Sequence, residues 1–192
     1  MPPIPVGVAN SVSANFDFDP INTIQFARQS GFEIIQIYLN RSILENHAVL
    51  KQIREEESHF QKVYYHAEGF FNTQFFGSDY QKRLFDFLTT ASFSNFILHF
   101  DEQVDIDGLL KYVESYPEDG PQIYLENFFQ AKGPQKAEKN LKKYLALFTL
   151  LNMSPQVLKP VLDIPRIFHK NLGFTSEESI QWCYQLFNYF GN

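Results

Sequence analysis

Six times along this chain a short apolar run gives way to a longer stretch with helical spacing. Val6 to Asn10, Glu33 to Asn40, Val63 to Glu68, Asn95 to Phe100, Gln122 to Phe128 and Val157 to Asp163 read as strands. The segments that follow them read as helices over Ile21 to Ser30, Ile43 to Phe60, Asp79 to Phe93, Ile106 to Tyr116, Glu138 to Asn152, and from Thr175 to about Phe190. Gly31 is placed to end the first helix, and Leu84, Phe85, Phe87 and Leu88 form the buried stripe of the third. Thr175, followed three residues later by Glu178, has the form of a capping box. Strands too apolar to face water on either side imply an α/β fold with a parallel sheet covered by helices.

The repeat is roughly 32 residues, 192 divided over six units. A complete eightfold barrel takes about 250 residues, so the expectation is a TIM-barrel-like (β/α) domain over 1–192, incomplete and short at its C-terminal end. The competing architecture is a doubly wound open sheet. No GxGxxG or GxxxxGK[ST] turn follows any of the strands, which counts against a nucleotide-binding version. Six strands would leave the first and sixth as edges, so either self-association covers them or the natural chain is longer.

With 44% hydrophobic residues the chain can bury one sizeable core. No segment is long and apolar enough to span a bilayer, and residues 1–10 lack the features of a secretion signal. The lone Cys183 has no partner and falls in the pattern Ile180, Cys183, Leu186, which reads as a packed thiol; a reducing, cytoplasmic setting is expected. The net charge of −6 opposes non-specific nucleic-acid binding. Lys132, Lys136, Lys139, Lys142 and Lys143 cluster between Ala131 and Tyr144, and read as a solvated helix face.

Four ionisable side chains stand where strands stop: His66, His99, Glu126 and Asp163. In a parallel sheet the carboxyl ends of all strands share one face, so residues 27 to 37 positions apart in sequence converge there. Two imidazoles and two carboxylates are a donor set for a divalent ion such as zinc or manganese. An acid that ends an apolar strand is costly to bury unpaired, which makes Glu126 and Asp163 candidate catalytic residues.

Several short motifs occur in a telling order: Gly31 to Ile37, Tyr65-His66-Ala67 followed by Asn72, Ile97-Leu98-His99, Leu125-Glu126-Asn127 and Val161-Leu162-Asp163. Together they resemble the xylose isomerase-like TIM barrel superfamily, which includes endonuclease IV (AP endonuclease family 2) and many sugar isomerases and epimerases. The chain lacks the last two β-α units of that pattern. Histidines on the third and fourth strands with a glutamate on the fifth resemble the endonuclease IV branch. There, matching residues bind metals that activate a water and neutralise a phosphodiester. The isomerase branch relies on the fifth-strand Glu and sixth-strand Asp. The endonuclease pattern Asp-x-x-His is here Asp163-Ile164-Pro165-Arg166, with the nearest histidine at His169, and a guanidinium cannot ligate a metal. Gln36 stands where many relatives carry an acid.

The resemblance therefore implies a metal-dependent phosphodiesterase acting on abasic DNA. His66 and His99 would complete one site, Glu126 would bridge two ions and Asp163 would belong to the second. The alternative is a sugar or sugar-phosphate isomerase or epimerase with a small sugar substrate, favoured by the acidic net charge. A third reading is a non-catalytic relative that binds or assembles. Arg41 is a candidate phosphate contact and His169 a further candidate ligand. Phe70, Phe71, Phe75 and Phe76 could line a pocket or stack on a base, though core packing accounts for them more simply.

Overall fold

The computed structural model describes residues 5–10, 14–15, 18–67, 78–90, 95–116, 120–151 and 158–191, without the side chains of residues 80, 85 and 87–90. The aromatic cluster Phe70 to Phe76, Asn72, residues 117–119, and Phe93, Asn152 and Val157 lie outside the described residues, as do the side chains of Phe85, Phe87 and Leu88.

Six strands form one parallel sheet in the order β1 to β6: Gly7–Ala9, Ile34–Tyr38, Lys62–Ala67, Asn95–Phe100, Gln122–Asn127 and Leu158–Val161. A doubly wound sheet reverses its strand order at a switch point, and this order contains no reversal. The helices are α1 (Pro20–Gln29), α2 (Arg41–Glu45), α3 (His47–Glu56), α4 (Asp79–Thr90), α5 (Ile106–Glu114), α6 (Pro134–Leu151), α7 (Ile164–Ile167) and α8 (Ser176–Phe190). No helix among the described residues is long and apolar enough to cross a membrane.

The chain divides into two compact units, Met1–Glu68 with Gly77–Ile97, and Gly69–Phe76 with Leu98–Asn192. In the first, Gly7 pairs with Ile34 so closely that a Cβ on Gly7 would stand 2.8 Å from Ile34 Cγ2, which is why the strand opens on glycine. Ile35, Ile37 and Leu39 are buried on one face of β2, while Ile34, Gln36 and Tyr38 occupy the other. Gly31 takes φ 73° just beyond α1, as expected of a helix stop. Of the apolar positions of α1, Ile24 and Ala27 are buried, whereas Phe26 is exposed and stacks on Phe32.

The long helix expected over Ile43 to Phe60 is instead two. Asn40 accepts a hydrogen bond from Ile43 N at 3.0 Å and Asn46 one from Val49 N at 3.2 Å, so each asparagine caps a fresh start and the second interrupts the run.

Just past α3, both carboxylate oxygens of Glu57 are buried without a hydrogen bond among the described residues. Burial pushes this carboxyl up to about 8, against a smaller lowering by Arg54. The folded state therefore binds a proton that the unfolded chain releases near pH 4.5. Stability is greatest below that pH and falls as pH rises through 8. Glu57→Gln should raise the melting temperature at pH 8 more than at pH 5, by an amount corresponding to about 1–2 kcal/mol for this half-buried group. Melting curves at the two pH values check this; equal shifts would contradict it.

In the second unit, Ile123, Leu125 and Asn127 are buried on one face of β5, and Tyr124 and Glu126 stand on the other. Pro160 lies within β6, the last strand in the order, where a missing N–H is tolerated. Helix α6 starts four residues earlier than expected and buries Ala137, Leu141, Tyr144, Leu147, Phe148 and Leu151. Its lysine face is solvated at Lys136, Lys139 and Lys142, while Lys143 lies over the Phe100 ring. On α8 the Thr175/Glu178 capping box is present in both directions. Cys183 and Leu186 are buried as expected, but Ile180 is exposed, and the buried stripe runs through Ser179 and Trp182 instead.

Candidate metal centre

His66 is the fifth residue of β3 and stands in register with Tyr38 on β2. The pleat that points Ile35 and Ile37 into the core turns Gln36 and Tyr38 to the His66 side. The Gln36 amide meets His66 Nδ1 at 2.6 Å, and the Tyr38 ring meets the imidazole edge-on at 5.8 Å. Leu39 N donates to the His66 carbonyl at 2.7 Å, which fixes the backbone behind the ring. The atom at Nδ1 is Gln36 Nε2, so the amide donates to that ring nitrogen and orients the imidazole.

In the second unit, His99 is the fifth of six residues in β4 and Glu126 the fifth of six in β5. His99 is 5% exposed, and its Nε2 lies 3.3 Å from Glu126 Oε2. Its ring lies flat on Phe128, with centroids 3.7 Å apart and planes 6° apart. Three devices hold the carboxyl end of β5. Phe128 N donates to Phe100 O at 3.1 Å, and the Tyr144 hydroxyl is shared between Leu125 O at 2.7 Å and Val161 O at 3.1 Å. The loop beyond is clamped by Glu102 Oε1, which accepts from Gln130 N, Ala131 N and Asn140 Nδ2. Burial raises the Tyr144 hydroxyl far above its ordinary value, so it acts as a neutral donor.

Within the second unit, His99 and Glu126 each offer one ligand atom, and His66 stands at the corresponding position of β3 in the first. Donor atoms about a tetrahedral ion stand roughly 3.3 Å apart when each lies ~2.0 Å from it. His99 Nε2 and Glu126 Oε2 already have that separation. An imidazole and a carboxylate at this separation, both largely shielded from water, are donor types that a divalent ion takes.

No family model, curated protein or solved structure matches the chain. The site therefore has to be judged on its own chemistry.

The fourth expected ligand, Asp163, is not in this group. Its Oδ1 accepts from Arg166 N at 3.0 Å, capping α7, and its Oδ2 lies 3.4 Å from Arg166 Nε. Asn127, fully buried, binds the main chain of the same residue twice: Asp163 N donates to Asn127 Oδ1 at 2.8 Å, and Asn127 Nδ2 donates to Asp163 O at 3.1 Å. His169 is exposed and caps the short turn Lys170–Leu172, its Nδ1 3.4 Å from Asn171 N. Arg41 is exposed at the start of α2 and pairs with Glu45 at 2.9 Å. Neither belongs to the group. The supporting roles of Asn127, Phe128 and Tyr144 went unread in the sequence, although the first two directly follow Glu126.

Proposed function

We propose that this chain is a divalent-metal-dependent enzyme that holds one ion on His66, His99 and Glu126 and hydrolyses a phosphate ester. The observation that carries the reading is the shielded pair His99 Nε2 and Glu126 Oε2, 3.3 Å apart near the ends of β4 and β5, with His66 at the corresponding position of β3. The motif order resembling the endonuclease IV branch of the xylose isomerase-like barrels supports the reaction class, and the unreversed strand order supports a barrel-type winding. When bound, such an ion supplies Lewis acidity, bringing a water toward a pKa of ~7 and neutralising charge on a phosphoryl oxygen.

The protein's part is to prepare and hold the ligands. Gln36 and Tyr38 fix the His66 ring, and Phe128 fixes that of His99. Glu126 brings the negative charge that draws a cation to two neutral imidazoles. In the hydrolysis a water oxygen bonds to phosphorus while the P–O ester bond breaks, and the departing oxygen takes up a proton. Because Asp163 is engaged in capping and in its ion pair, one ion on three ligands describes the residues better than the two-ion scheme. The net charge of −6 favours a small phosphate ester over abasic DNA.

The test is hydrolysis of a panel holding a sugar phosphate, a small phosphodiester and an abasic-site duplex, by chelator-stripped protein before and after zinc or manganese is restored. Metal-dependent phosphate or strand release supports the reading. Isomerisation of the sugar phosphate without hydrolysis would replace it with the isomerase alternative.

A further inference from the structure

The departure of Asp163-x-x-Arg166 from the pattern Asp-x-x-His leaves a question that geometry answers: what a guanidinium does at that position. Arg166 Cζ lies 4.1 Å from the centroid of the Phe128 ring, over its face. His99 lies flat on the same ring at 3.7 Å. Two planar groups this close to one centroid cannot share a face without overlapping, so they take opposite faces. Phe128 is thus the middle layer of a stack of imidazole, phenyl ring and guanidinium. The Arg166 carbon lies no farther than about 7.8 Å from the His99 centroid, the sum of the two separations.

The guanidinium is held on its inner side only. Nε is buried without a hydrogen bond, at ion-pair distance from Asp163 Oδ2 (3.4 Å), and the plane is set by the aromatic face. Among the described residues no hydrogen bond or ion pair engages the two Nη groups, and 26% of the side chain is open to solvent. A guanidinium oriented by stacking and by its ion pair with Asp163, with its outer fork unengaged, is pre-organised for bidentate binding of an oxyanion. Asp163 offsets only part of its charge, since its carboxylate also accepts from the start of α7.

We infer that Arg166 is a substrate-binding residue that takes the phosphate group of a small anionic substrate through its Nη edge, one aromatic layer away from the His99 ligand. The inference rests on the metal-centre reading, and it narrows the substrate to one carrying a phosphate oxyanion. It also gives the Asp163-Ile164-Pro165-Arg166 segment a purpose: Asn127 fixes Asp163, Asp163 caps α7, and the first turn of α7 carries Arg166 to the Phe128 face.

The experiment titrates inorganic phosphate into the zinc-reconstituted full chain and its variants by calorimetry, after zinc affinity has been measured on each. For Arg166→Gln, phosphate affinity should fall about tenfold or more, while zinc affinity stays within about twofold, because a charge-assisted contact is lost and no metal ligand is touched. Arg166→Lys keeps the charge but not the fork, and should lie between the two. It carries the test alone if the glutamine variant does not fold. Unchanged phosphate affinity in either variant, with zinc bound normally, overturns the role given to Arg166 and leaves the metal centre standing. Failure of the parent protein to bind zinc overturns the metal centre itself.

Discussion

Glu126→Ala is expected to lower divalent-ion affinity by more than about a hundredfold, beyond the tenfold to hundredfold that follows loss of an outer-shell partner. Glu126 is the carboxylate among the three proposed ligands, and a cation held by imidazoles alone keeps little of its electrostatic attraction. His99→Ala should also weaken binding, but less, because the carboxylate and His66 remain. Calorimetric titration of zinc into both variants checks the order. Equal and small losses would mean that the group does not hold an ion.

The second large effect concerns stability rather than binding. Asn127→Ala should cost about 2–5 kcal/mol, because it leaves both Asp163 N and Asp163 O without the partner that a fully buried amide gives them. Denaturant unfolding measures this. The loss should carry over to the Arg166 position, since Asp163 caps the helix on which Arg166 stands. A change under about 1 kcal/mol would show that water replaces the asparagine at no great cost.

The sheet was legible because each strand is written as a short apolar run, although β4 is buried throughout while β2 and β5 alternate buried with half-buried positions. His66, His99 and Glu126 stand near strand ends for a related reason. An ionisable residue ends such a run abruptly, and the pleat then decides its face. Asp163 looked the same and behaves differently. The sequence carries its alternative, an aspartate followed by Ile164 and Pro165, which reads equally well as an N-cap before a proline-started turn. Here the carboxylate takes the main-chain donor of Arg166. The break at Asn46 was missed for the same reason, a polar side chain that competes locally for main-chain donors. Tyr144 could not be read at all, because its function is to bridge two strands that only the fold brings under α6.

The central claim is tested most directly by x-ray absorption spectroscopy on the full chain reconstituted with zinc, together with the metal-to-protein ratio. One equivalent of zinc is predicted, with the scattering of two imidazoles and at least one oxygen ligand, and both the ion and that signature should vanish in the triple variant His66→Ala, His99→Ala, Glu126→Ala. A zinc environment without imidazole, or an ion retained by the triple variant, would contradict it.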